Sequence, residues 1–375
     1  MDGERIMSLS ISSLRHRELT EATTVLRDPQ APSAEHSRAA DPNLSAGVLA
    51  SLCVGAMILS TMGGSAACEA REGVRAARRL GRYRLEARIA AGAMGEVWLA
   101  EDVRLRRKVA LKILRPEIAM AEGAGARFEQ EARSASRLSC PHTIRIYDYG
   151  ACEDGLSFIA MELLDGADLG TILSEHGALP EGRVARLAEQ ICLSLTEAED
   201  SGIVHRDIKP ANLFLTRVGD DEDFVKLLDF GIAKVQGQEV QVKARCLMGT
   251  PAYMAPELWI GREADARSDL YALGVTLYKL LTGALPFTSK ADRAIARAHL
   301  LDEPDPPSTR RSGPVHPALE AAILRCLEKN PDKRFQSARE LRATLVEAGI
   351  SARWTQREAR AFWSRWRASP EHTHA

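Results

Sequence analysis

The run His205-Arg206-Asp207-Ile208-Lys209-Pro210-Ala211-Asn212 places a carboxylate, an ammonium and an amide within one short stretch, and a second carboxylate, Asp229, opens Asp229-Phe230-Gly231. Asp207, Asn212 and Asp229 together form the oxygen-ligand set that hard divalent cations and a hydroxyl nucleophile need for phosphoryl transfer. A lone His-Arg-Asp could occur in any surface loop. The asparagine and the second aspartate at these spacings make chance a poor explanation.

Such groups need elements to hold them. Phe224-Val225-Lys226-Leu227-Leu228 is strand-like and runs directly into Asp229. Val109-Ala110-Leu111-Lys112-Ile113-Leu114 also reads as a strand, with Lys112 as its lone interior charge, and a lysine in that setting needs an anion. Tyr83 to Ile89 predicts a strand ahead of the small-residue run Ala90-Ala91-Gly92-Ala93-Met94-Gly95-Glu96-Val97. Ser157 to Leu164 predicts an apolar strand, followed by a loop at Asp165-Gly166 and a helix after Asp168.

The complete match to H-R-D-x-K-x-x-N and D-F-G resembles the protein kinases, and Gly249-Thr250-Pro251-Ala252-Tyr253-Met254-Ala255-Pro256-Glu257 resembles the same segment in bacterial, Hanks-type serine/threonine members. The resemblance covers 83 to about 348. It implies an α+β, bilobal fold: a small β-rich N-lobe over 83–161 and a large helical C-lobe over 165–348. It further implies that ATP lies between the lobes, against Ile89, Ala90, Ala91, Gly92, Ala93, Met94, Gly95, Glu96, Val97 and Ala110. Lys112 would meet the α/β-phosphates and Glu131. Met161 would be the gatekeeper, Glu162 and Leu164 would offer hinge backbone groups to adenine, and Asp168 would meet the ribose.

By the same resemblance Asp207 takes the proton of the acceptor hydroxyl and Lys209 neutralises the transferring phosphoryl. Asn212 and Asp229 hold Mg²⁺, with Mn²⁺ as the alternative ion. Thr250 sits where serine/threonine kinases bond their catalytic Asp and Lys, Glu257 pairs with Arg334, and Asp269 braces the catalytic loop. Expected partners are proteins with Ser/Thr acceptors, including the chain itself; nucleic acid is not expected, and dimerisation is left open. A departure lies at Ala90, which replaces the first glycine of G-x-G-x-x-G and predicts a stiffer turn. A pseudokinase or nucleotide-binding scaffold is the alternative. A second departure is that 230–249 contains no Ser, Thr or Tyr, so activation without phosphorylation of this stretch is expected, with Glu239 as a fixed anion.

Length and charge set the bounds. The 375 residues accommodate such an enzyme plus extensions, and 50 basic against 51 acidic side chains give no global field toward nucleic acid. The seven cysteines are scattered with no Cys-x-x-Cys pair, which excludes a disulfide framework or zinc cage and fits a reducing cytoplasm. Residues 1–80 form an N-terminal extension. Within it 44–62 is charge-free and long enough to span a bilayer, and the following arginines would keep the kinase side cytoplasmic; the competing reading is a disordered or wrongly extended N-terminus, with the true start at an internal methionine such as Met57 or Met62. The Pro-rich 303–317 reads as a surface loop. The tail, 351–375, carries Ala359, Phe362, Trp363 and Trp366 at helical spacing, predicting a short helix packed on the large lobe, with docking to a membrane surface or partner as the competing reading.

Overall fold

The computed structural model describes residues 79–92, 95–114, 129, 132–151, 156–230, 251–289 and 291–368. The N-lobe is a six-stranded antiparallel sheet in the order β1 (Arg79–Leu80), β2 (Tyr83–Ala91), β3 (Gly95–Asp102), β4 (Arg107–Leu114), β6 (Ser157–Met161), β5 (Ile146–Ala151). Strand side chains alternate between faces. Trp98, Ala100, Val109, Leu111, Phe158 and Ala160 therefore build one apolar layer, while Ala110, Ile159 and Met161 build the other, together with Leu164, Phe214 and Leu228 from beyond the sheet. Lys112 shares the second face with Ala110, so the alternation alone aims it at the junction of the lobes. Leu80, in the region assigned to the extension, pairs with Tyr83 and is 1% exposed, so the lobe begins a few residues earlier than Tyr83.

The C-lobe joins a small sheet, β7 (Gly166–Asp168), β8 (Leu213–Val218) and β9 (Asp221–Leu227), to a helical body. Its helices are α1 (Leu169–His176), α2 (Glu181–Asp200), α3 (Pro256–Trp259), α4 (Ala266–Thr282), α5 (Asp292–Leu301), α6 (Pro307–Arg310), α7 (Pro317–Cys326), α8 (Ala338–Ala348) and α9 (Gln356–Arg367). The helix ends are written in the sequence: Asp265 and Ser268 form a capping box for α4, Gly283 ends it at φ 79°, and Thr355 with Glu358 box the start of α9. Leu187, Ile191, Leu215, Val225, Leu227, Leu273 and Leu277 meet in one core. The Pro-rich stretch is not wholly loop, because Pro307 at the first helical position lets α6 form within it. The stretch 44–62 lies outside the described residues, among which no helix is long and apolar enough to cross a membrane.

Two buried polar pairings stabilise the C-lobe. Arg334 forks onto Glu257 with both contacts at 2.8 Å, and Ser268 Oγ donates to the same carboxylate at 2.6 Å. Burial alone would raise the Glu257 pKa, but Arg334 outweighs it and holds the carboxyl below its usual range. His299 is fully buried between the Tyr271 and Phe287 rings, with Nδ1 at 2.8 Å from the Tyr271 hydroxyl. Burial, then the nearby Lys329 charge, pushes its pKa down to about 3. That value is below the ordinary histidine value of about 6.5. The neutral ring therefore contributes its full stability above pH 6.5, and the contribution is lost as the pH falls toward 3. Thermal midpoints should decline across that window, and His299→Gln should flatten the decline; superimposable profiles for the two proteins would contradict the assignment.

Candidate active site

The side chains expected to carry the chemistry converge where β9 and the loop before β8 meet β4. Lys112 Nζ lies 2.7 Å from Asp229 Oδ1, although 117 residues separate the two in sequence. Their side chains are 11% and 20% exposed, so the pair is partly desolvated and stronger than a surface salt bridge. Asn212 Nδ2 donates to the Asp207 carbonyl at 2.7 Å and to its Oδ2 at 2.9 Å, and Lys209 Nζ is 3.0 Å from the same oxygen. With both contacts made by the amide nitrogen, the orientation of Asn212 is fixed and its Oδ1 is left to act as a ligand.

The loop carrying these groups is held by its backbone. Asp269, in the first turn of α4, accepts from the His205 N–H at 2.6 Å and the Arg206 N–H at 2.7 Å. His205 Nε2 bonds the Leu228 carbonyl at 2.8 Å, and Leu228 N–H donates to Asn212 O at 2.9 Å. These bonds tie the loop to the residue before Asp229. They also offset strain, since Arg206 and Asp229 adopt φ values of 65° and 51°, a conformation costing about 1–3 kcal/mol for a non-glycine residue. Phe230 is buried against the His205 ring, with centroids 4.5 Å apart.

A cluster of buried apolar residues lies beside this constellation. Ala110, Met161, Leu164, Phe214 and Leu228 are buried, with Ile89 and Val97 packed against them. Among the described residues, the backbone N–H and C=O of Leu164 have no hydrogen-bonding partner, which is what an adenine edge would require. The Glu162 side chain accepts from Lys226 Nζ at 2.6 Å and from the Arg145 N–H at 2.8 Å, fixing the hinge against β9 and the β5 approach. Lys226 was not singled out by the sequence reading. The signal was present, because Lys226 is the lone charge of the apolar run Phe224-Val225-Lys226-Leu227-Leu228, as Lys112 is of Val109-Ala110-Leu111-Lys112-Ile113-Leu114.

Two expectations change. Asp168 is 1% exposed, and its carboxylate accepts from the Gly170 and Thr171 N–H groups and the Thr171 hydroxyl, so it caps α1 rather than facing a ribose. Burial raises its pKa despite those bonds. Ala90 lies within β2, paired with Val97 just past a register shift between Arg88 and Ala90 and without a positive φ, so its methyl group stiffens no turn. Gly92, whose N–H donates to Gly95 O at 2.8 Å, closes the hairpin. Gly95 has a packing reason as well: a Cβ there would lie 2.1 Å from the Ile113 carbonyl. Ala91 pairs with Glu96, which accepts from the Trp98 indole at 3.0 Å. Ala93, Met94, Glu131, Thr250 and 231–249 lie outside the described residues.

Comparison with known proteins gives a consistent picture. Residues 83–345 match the protein kinase domain model. The chain is 45% identical over 269 residues to serine/threonine-protein kinase pkn3 of Myxococcus xanthus, covering 70% of this chain and 49% of that protein. It is 38% identical over 269 residues to serine/threonine-protein kinase PknB of Mycobacterium leprae, covering 71% and 42% respectively. The crystal structure of the Mycobacterium tuberculosis PknI kinase domain superposes with a TM-score of 0.58 at 30% identity, covering 73% of this chain and 98% of that one. The chain thus spans about half or less of the length of these curated relatives.

The two small residues make opposite predictions. Gly95→Ala should destabilise the β3–β4 pairing by roughly 1–3 kcal/mol, because backbone must move to relieve the clash. Ala90→Gly should leave nucleotide affinity within about twofold, since the strand geometry suits either residue. Denaturant melts and titration with ATP measure both, and a large affinity gain in Ala90→Gly would contradict the geometry.

Proposed function

The chain belongs to the protein kinase domain family, and from that premise we propose that it transfers the γ-phosphoryl group of ATP to Ser and Thr hydroxyls of proteins. The observation that carries this reading is the convergence of Asp207, Lys209 and Asn212 with the Lys112–Asp229 pair beside a buried apolar cluster from both lobes. Its relatives named as serine/threonine-protein kinases, and Lys209 two residues after Asp207, support the choice of acceptor.

The roles follow from position and charge. Asp207 accepts or orients the proton of the acceptor hydroxyl, with its carboxylate plane fixed by Asn212 and Lys209. Lys209 is placed to neutralise charge gathering on the phosphoryl oxygens. Lys112 exchanges its contact with Asp229 for the α- and β-phosphates and Glu131, and so turns Asp229 toward a cation. The donor set fits Mg²⁺, because that hard cation takes oxygen ligands and needs only one or two from the protein, and Asp229 with Asn212 Oδ1 would supply them. When bound, the ion neutralises the β- and γ-phosphates. The Leu164 backbone and the Glu162 carbonyl are the adenine partners.

The test is transfer of label from γ-labelled ATP to the chain itself and to a basic protein, with Mg²⁺. Label should appear on Ser or Thr, and Asp207→Asn should cut the rate by about 10²–10⁴-fold, the range for loss of a positioned acid–base group. Equal incorporation by the variant, or none by the native chain, would refute the proposal.

A further inference from the structure

Residues 350–367 lie beyond the span matched to the kinase domain, yet they are built into the C-lobe. The Asp223 carboxylate, at the start of β9, accepts four N–H groups: Arg183 Nε at 2.7 Å and Nη2 at 2.9 Å, Trp354 Nε1 at 2.8 Å, and Trp363 Nε1 at 2.7 Å. Arg183 and Asp223 are both fully buried, and the guanidinium carbon lies 3.9 Å from the Phe362 ring centroid and 5.0 Å from that of Trp354. Gly182 admits the tail backbone, since a Cβ there would lie 2.9 Å from the Arg353 carbonyl carbon. Gln356 accepts from the Glu222 N–H at 3.1 Å and donates to Asp221 at 2.9 Å.

The strand that the tail grips is the edge of its sheet, and among the described residues only an isolated bridge from Thr143 to Leu227 borders its outer side. Its backbone is instead satisfied piecemeal. Gln356 takes the Glu222 N–H, Gln190 bonds Asp223 O and Val225 N, and His142 bonds Val225 O and Leu227 N. Alternation divides its side chains. Asp223, Val225 and Leu227 face the helical body and the tail. Phe224 and Lys226 face the other way, Phe224 stacking on His142 and Lys226 meeting Glu162 of the hinge. One strand therefore carries the tail on one face and the hinge on the other, and it leads directly into Leu228-Asp229.

We infer that residues 350–367 are a positioning element of the nucleotide site, acting through β9 on the Lys226–Glu162 pair and on Asp229. The inference rests on the kinase reading. Trp354 and Trp363 are positioning residues in this account, because their indoles fix where β9 lies and touch no reacting atom.

The experiment uses the full chain, with Trp354→Phe/Trp363→Phe to remove both indole N–H donors while keeping the rings, alone and combined with Lys226→Met. KM for ATP, kcat and equilibrium affinity for ATP with Mg²⁺ are measured, alongside thermal midpoints. The double tryptophan variant should raise KM and weaken affinity roughly threefold to tenfold with kcat within about twofold, and add nothing further in the Lys226→Met background. A lowered thermal midpoint with unchanged KM and affinity, or effects that simply add to Lys226→Met, would reduce the tail to a stabiliser and overturn the inference. If the native chain binds ATP without transferring phosphoryl, the affinity arm still decides the inference while the activity reading falls. A native chain that binds no ATP sinks both.

Discussion

A lysine from the small lobe and an aspartate from the large one meet at 2.7 Å, and the working geometry of this protein depends on that contact. Neither partner could sit where it does alone, since a partly buried charge without a counter-charge is costly. Lys112 is aimed at the cleft by the alternation of β4, and Asp229 by the left-handed turn that ends the β9 segment. The contact therefore joins the two sheets at their chemically important ends. Under the proposed function it is also an exchangeable contact, because phosphates would offer the lysine a stronger anion and a divalent cation would offer the aspartate a stronger partner.

Around this pair the C-lobe spends much of its polar bonding on keeping one loop in a strained shape. Asp269 takes two consecutive backbone N–H groups, His205 reaches the carbonyl before Asp229, and Asn212 bonds Asp207 twice. The buried Glu257–Arg334 fork, which shares Ser268 in the first turn of the helix bearing Asp269, fixes Glu257 at the start of α3 to the same helix. Loop, helix and the start of α3 are thus one bonded unit. The groups that would touch the reacting atoms arrive with little reorganisation left to make.

What could be read from the sequence depended on whether an interaction is encoded by spacing or by shape. Asp207, Asn212 and Asp229 are legible because chemistry demands those side chains at fixed offsets, and Glu257 with Arg334 because the motifs containing them are distinctive. Asp168 misled because an acid after a hinge strand looks the same whether it faces solvent or caps a helix; burial decided for the cap. Ala90 looked like a defect in a turn, and the turn proved to lie further along, at Gly92. The tail helix was predicted from its apolar spacing, but its partner was not, because nothing local to Asp223 reveals that it will collect four N–H donors from two distant segments. Leu80 escaped because a two-residue strand has no periodicity to detect.

The central claim is that Asp229, released from Lys112, becomes the cation-binding carboxylate of a nucleotide site. Calorimetric titration of the native chain and of Asp229→Asn with ATP, each with and without Mg²⁺, tests it most directly. The account predicts that Mg²⁺ tightens ATP binding to the native chain by tenfold or more, about 1.4 kcal/mol, and that this enhancement vanishes in Asp229→Asn while metal-free binding persists. An undiminished Mg²⁺ enhancement in the variant would contradict it.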